Sequence, residues 1–165
     1  MINIKYTIVK KPSFTTIGLK WEGTFSEAEA GAIKSVMKEM HERMSEIDHV
    51  VHSDSLIGLS YNASAGKDRF THYSTVEVKE KSNVPPGMVQ LTIPETTFVT
   101  TKHEKGKNIQ ASYEKIYQWI EENGYKASSE DLTHVEVYPA KPDTYTDDPE
   151  FIIMIPVKRR EMTDE

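Results

Sequence analysis

The residue best placed to do chemistry in this chain is a carboxylate inside a β-type run. Glu136 lies in His134-Val135-Glu136-Val137-Tyr138, a β-branched and aromatic context where a solvated acid is not the default choice. If the run is a strand, alternation puts His134, Glu136 and Tyr138 on one face and Val135 and Val137 on the other. The valines are expected to meet helices, which leaves the polar trio facing a cleft or solvent. A glutamate in a cleft is desolvated, and its pKa rises unless a cationic ligand or a hydroxyl partners it. The plainer alternative is an ordinary solvent-facing strand glutamate.

Aromatic residues supply candidate walls for such a cleft. Trp21, Tyr61, Tyr73, Tyr113, Trp119 and Tyr138 together could grip a flat or cationic organic molecule through apolar area and cation–π contact. For Tyr113 and Trp119 core packing is an equal alternative, and Tyr117 is assigned to the core. The six histidines suggest no metal: His49-x-x-His52 and His41 match no standard zinc spacing, and neither His41-Glu42 nor His103-Glu104 has the second histidine of a zinc-protease helix. Gly58-Leu59-Ser60-Tyr61-Asn62 misses the last glycine of a nucleophile elbow. With no glycine-rich phosphate loop either, the site is expected to work without metal or cofactor.

The bulk numbers narrow the setting. A chain of 165 residues, 37% hydrophobic and 28% charged, suits one soluble domain. The net charge of −6 gives no basic surface for direct nucleic-acid binding and weakly favours cationic or neutral ligands. The absence of cysteine excludes disulfides and thiolate chemistry and fits a reducing cytoplasm. The amino-terminal residues lack the apolar core of a signal peptide, and no window approaches the ~18 apolar residues that span a bilayer. A cytoplasmic protein with no membrane partner is expected.

These residues need elements to hold them. A strand is expected over Tyr6–Val9, another over Phe14–Trp21 closed at Gly23, and a helix from Thr24–Glu27 to about Glu46 with apolar residues at three- and four-residue steps. Strands at Leu56–Tyr61 and Arg69–Glu80 flank a turn-rich loop at Asn62–Lys67, and Ser82–Gly87 breaks the chain. Thr97–His103 is a strand, Asn108–Ile120 a helix stopped by Asn123-Gly124, and His134–Tyr138 a strand. Phe151–Val157 reads as a central strand, with Pro156 at its end where the missing amide does no harm. Lys158–Glu165 is a charged tail.

The second half restates the first. Pro12, Thr15, Lys20 and Glu22 match Pro94, Thr97, Lys102 and Glu104 at a constant offset of 82 (94 − 12), which also pairs Trp21 with His103. Ile57–Tyr61 matches His134–Tyr138 at 77 (138 − 61), which puts Ile57, Leu59 and Tyr61 on the face of Glu136. Val78-Lys79 matches Val157-Lys158 at 79 (157 − 78). Two strand–helix–strand–strand units, about 4–82 and 86–160, each with a short strand before it, bury themselves best by joining. The expected fold is α+β: a single domain over 1–165, with an antiparallel sheet, two helices on one face and a ligand cleft at the pseudo-twofold seam.

By this point the chain resembles a known family. Pro94, His103 with Gly106, Tyr113-x-x-Ile116-Tyr117-x-Trp119, Gly124-Tyr125, Glu136-x-Tyr138 and Ile155-Pro156-Val157-Lys158 resemble the gyrase-inhibitor-like small-molecule-binding domain. Ile57-Gly58-Leu59-Ser60 and Tyr73 with Val76-Glu77-Val78 extend the likeness into the first half. This domain is also the effector-binding half of many AraC-class and MerR-class regulators. The resemblance implies two strand–helix–strand–strand modules around a ligand cleft, and an acidic pocket residue at Glu136. The chain departs from the family at Val135, where an aromatic is common, and at the longer turn His103–Gly106.

The expectation is therefore a stand-alone effector-binding protein. It would capture amphipathic or cationic small molecules at Glu136, with Trp21, Tyr61, Tyr73, His103, Tyr113, Trp119 and Tyr138 around it, and work through a regulator or a homodimer partner. The rival is a cofactor-free hydrolase of strained, cyclopropane-containing toxins, as in some similar proteins. There Glu136 acts as base on a water and Tyr73 or Tyr138 donates to the carbonyl oxygen.

Overall fold

The computed structural model describes residues 5–63, 66, 68–79, 83–141 and 149–160. The expected loop at Asn62–Lys67 lies partly outside them, as does the tail beyond Arg160. Among the described residues, no helix is long and apolar enough to cross a membrane.

Nine strands are found in the described residues: β1 Thr7–Lys11, β2 Phe14–Thr24, β3 Ser55–Tyr61, β4 Arg69–Val78, β5 Val89–Ile93, β6 Thr96–His103, β7 Tyr125–Ala127, β8 Leu132–Pro139 and β9 Phe151–Arg159. They form one antiparallel sheet in the order β1-β6-β9-β8-β3-β4-β2-β5, with β7 on β9. Thus β9 is flanked by β6 and β8, as its apolar run requires, and β3 and β8 pair at the centre.

The short strands exchange sides. β1 precedes β2 in the chain but pairs with β6, and β5 precedes β6 but pairs with β2. Only Pro12-Ser13 separates β1 from β2, and only Pro94-Glu95 separates β5 from β6. Each link spans at most about 11 Å, yet it joins opposite ends of the sheet path. The sheet must therefore curl until its ends meet. Phe14, Ile57, Leu59, Ile93, Phe98 and Val135 fill the inside of that curl as one apolar cluster.

Helices cover the other face. α1 (Phe25–Glu29) and α2 (Ala32–Arg43) lie over the first half and α3 (Ile109–Glu122) over the second. α2 buries Met37 and Met40 against Ile17, Leu56, Val76 and Val78, and α3 buries Ile116 and Ile120 against Val99, Ile153 and Ile155. The expected single helix to Glu46 is instead two helices and a 3-10 turn at Met44–Glu46. Thr24 and Glu27 close a reciprocal capping box (3.1 and 2.8 Å), and α1 then stops before Gly31, whose φ of 108° lies in the left-handed region. That backbone is cheap for glycine and strained for other residues, so the chain breaks there.

Two further expectations change. Pro156 is inside β9, which runs on to Arg159. Its carbonyl accepts from the Ser128 amide at 2.8 Å, so its missing N–H falls on that same side, in the gap between the β8 pairing (to Met154) and the β7 pairing (from Val157). Only the reciprocal bond to Ser128 is forgone, at the point where the β7 pairing ends. β7 itself was not expected.

Candidate functional site

Register at the sheet centre decides the site. Gly58 lies opposite Glu136, and the flanking pairs are Leu56 with Tyr138 and Ser60 with His134. Directly opposed residues share a face, so the even-numbered residues of β3 lie with Glu136, whereas the odd offset of 77 (138 − 61) would put Ile57, Leu59 and Tyr61 there. A one-residue slip turns every side chain to the other face. Two expectations are corrected as a result. Val135 and Val137 point into the curl with Ile57 and Leu59, whereas His134, Glu136 and Tyr138 share a face as expected, but that face is the one under α3.

α3 closes over the acid. The Tyr113 hydroxyl donates a short hydrogen bond to Glu136 Oε2, and the Tyr138 hydroxyl donates to Oε1 at 2.9 Å. His134 Nε2 is 4.0 Å from Oε2, and the two side chains are only 17% and 13% exposed. The Tyr113 ring also meets the His134 ring edge-on at 5.3 Å. Across the strand pair, His72 lies over Gly58: a Cβ there would sit 2.9 Å from His72 Cε1 and 3.1 Å from Nε2. The absence of a side chain at Gly58 thus makes room for an imidazole beside Glu136. His72 Nδ1 bonds Ser60 Oγ at 2.9 Å, while its buried Nε2 has no partner.

Electrostatics follow from burial. Desolvation pulls His72 down to about 4, with Glu136 opposing the shift and His134 adding to it. His134 is lowered by burial, again against the pull of Glu136. Both imidazoles are therefore neutral near pH 7. Tyr113 and Tyr138 are raised well above the usual phenol range, by burial first and the charge of Glu136 second. They stay protonated and can only donate to the acid. Among the described residues no lysine or arginine pairs with Glu136. The result is a carboxylate with two hydroxyl donors, two neutral imidazoles and no countercharge.

Only part of the expected aromatic wall gathers here. Tyr113 and Tyr138 touch the acid. His103 is on the same face but behind the site: it bonds Ser112 Oγ at 2.7 Å and packs on Phe151 at 5.0 Å, and Phe151 stacks on Tyr138 at 4.6 Å. Trp119 stacks on Tyr6 at 5.5 Å, and Trp21 packs edge-on to Phe70 at 5.3 Å. Tyr61 and Tyr73 pair with each other at 5.6 Å inside the curl, on the far side of the sheet from Glu136. His72 and Ser60 were missed. In the sequence, only the correct β3–β8 register would have picked them out.

Two cavities, of about 500 and 490 Å³, open elsewhere. One lies beside Tyr6, Lys102 and Ser112 and the other beside Tyr61, Pro94 and Leu132. Neither includes Glu136, which α3 and the tyrosines cover. Among the described residues no group of three or more His, Asp or Glu is placed to hold a metal ion.

A curled antiparallel sheet with helices on one face, covering an acid at its centre, is an α+β architecture. The chain belongs to the GyrI-like small molecule binding domain family, which matches residues 4–158. No match was found among curated protein sequences. Among solved structures, the EcmrR C-terminal domain is 16% identical with a TM-score of 0.66, covering 96% of this chain and 99% of that one. EcmrR in its DNA complex is similar at 15% identity and a TM-score of 0.67, with 94% of this chain covered but only 58% of that chain. SAV2435 bound to tetraphenylphosphonium gives 14% identity and a TM-score of 0.67, covering 93% and 94%. A hydrolase encoded by lin2189 from Listeria innocua gives 13% identity and a TM-score of 0.59, covering 93% and 92%. At these identities the likeness is one of fold.

Proposed function

We propose that this protein captures small organic cations, with Glu136 as the charge partner and Tyr113 as the movable cover, and acts as an effector-binding sensor or scavenger. The observation that carries this reading is the acid's lack of countercharge. A carboxylate 13% exposed with only neutral neighbours gains more from a cation than one already paired. Because both its oxygens are held by tyrosine hydroxyls, a ligand has to displace Tyr113, and with it the first turns of α3. The rings of Tyr113 and Tyr138 then flank the cation. His72 Nε2, unpartnered at the floor, favours a ligand that also offers a hydrogen bond there. SAV2435, solved bound to tetraphenylphosphonium, supports the ligand class by analogy of fold.

A second reading is favoured by the same two hydroxyls. In a cofactor-free hydrolase of strained cyclopropanes, Glu136 takes a proton from water as its oxygen attacks a ring carbon. The broken C–C bond's electron pair moves into the conjugated carbonyl, whose oxygen receives the proton from a tyrosine. Tyr138 and Tyr113 are in reach for this role, whereas Tyr73 is on the opposite face. The fold shared with the Listeria innocua hydrolase makes the reading worth a test. Incubation with a panel of cationic and electrophilic organics, read by melting temperature and mass spectrometry, separates the two. Stabilisation without product, lost in Glu136→Gln, is expected. Product formation that needs Glu136 would establish the hydrolase.

A further inference from the structure

The 500 Å³ cavity has the opposite chemistry from the Glu136 site. It lies between Lys5-Tyr6, the end of β6 and the first turns of α3. Lys5, Lys102, Lys107 and Lys115 line it, against one acid, Glu104. Over the whole chain acids outnumber lysine and arginine by 26 to 20, so four cations around one cavity is a local reversal of sign. Lys102 is paired with Glu150 at 3.6 Å. Lys5, Lys107 and Lys115 have no carboxylate within ion-pair distance among the described residues. Like charges brought together around a concavity raise its potential and select anions.

The walls are built rather than loose. Tyr6 lines the cavity and is fixed by stacking on Trp119. Thr101 Oγ1 donates to the Lys5 carbonyl at 2.9 Å, tying the amino-terminal segment to β6. The His103–Ser112 bond ties β6 to α3. The cavity is of a size that holds a small ligand, and its lining combines four lysines with an aromatic side chain. Three lysines with no ion-pair partner among the described residues suit a doubly charged anion better than a single carboxylate.

We propose that this cavity is a second binding site, for a small phosphorylated molecule that carries a flat ring, of the mononucleotide type. The lysines hold the phosphate and Tyr6 meets the ring. Calorimetric titration of the full chain with adenosine 5′-monophosphate, adenosine and inorganic phosphate in turn tests it. The monophosphate is expected to bind saturably and more tightly than either fragment, with a Kd that rises with salt. Lys107→Gln with Lys115→Gln is expected to raise that Kd at least tenfold. The titration is made with no organic cation present, which keeps this site's failure separate from failure of the cation site. No saturable binding of the monophosphate, or an equal Kd in the double variant, overturns the proposal. Adenosine binding as tightly as the monophosphate overturns the phosphate assignment, and phosphate alone binding as tightly overturns the ring assignment.

Discussion

Glu136, Tyr113 and His72 form a balance that single substitutions can tip. Tyr113→Phe keeps the ring but removes a hydroxyl that competes with the ligand for the acid. It is expected to lower stability by about 1–2 kcal/mol and to tighten cation binding several-fold, as read by thermal melts and calorimetry. Weaker binding would mean that the hydroxyl helps to hold the ligand. The histidines set the response to acid. The pKa of folded His72, near 4, lies below its usual 6.5, so the unfolded chain binds the proton more readily. The stability that neutral His72 contributes is complete above about pH 6.5 and falls as the pH drops towards about 4, with a slope of up to about 1.4 kcal/mol per pH unit. Denaturant midpoints measured from pH 7 to 4 should show this limb, and His72→Gln should flatten it.

At the scale of elements, α3 is the cover and its amino-terminal cap is the hinge to test. Asn108 accepts from the Ala111 amide at 2.8 Å, and Asn108→Ala should cost about 1 kcal/mol. Hydrogen exchange at Ala111–Tyr113 should then quicken before exchange in β8. The elements were largely legible in the sequence. The β-branched runs and the three- and four-residue periodicity marked β2, β4, β6, β9 and α3, because each buries one apolar face. The break at Gly31 was harder to see: glycine in a helix and glycine in a left-handed turn look alike until tertiary packing chooses between them. Register was hardest. Tyr61 and Tyr138 are the same residue type at similar places, yet β3 and β8 pair about Gly58 and Glu136. That single position moved Tyr61 and Tyr73 out of the site and brought His72 in. A glycine that leaves room for an imidazole carries no periodic signal.

For the whole molecule, the exchange of β1 and β5 is the governing feature. Each half of the chain supplies an edge strand to the other, so neither half completes its own sheet. Unfolding should be a single cooperative transition rather than two. The two tryptophans report separately, Trp21 from β2 and Trp119 from α3. Single-tryptophan variants, Trp21→Phe and Trp119→Phe, are expected to give coincident denaturation curves. Separated midpoints would mean that the halves are independent. The same closure favours the helical face for the proposed cation site. The inside of the curl is filled by side chains from both ends of the sheet, so a ligand's charge is better met at the central strands under α3.

Everything proposed for the cation site rests on Glu136, and calorimetric titration of the wild-type chain and of Glu136→Gln with tetraphenylphosphonium and ethidium tests it most directly. Saturable binding of at least one of these cations, weakened tenfold or more in the variant while its melting temperature holds, is the predicted result. Equal affinity in the two proteins, or binding of neither cation to the wild type, would contradict it.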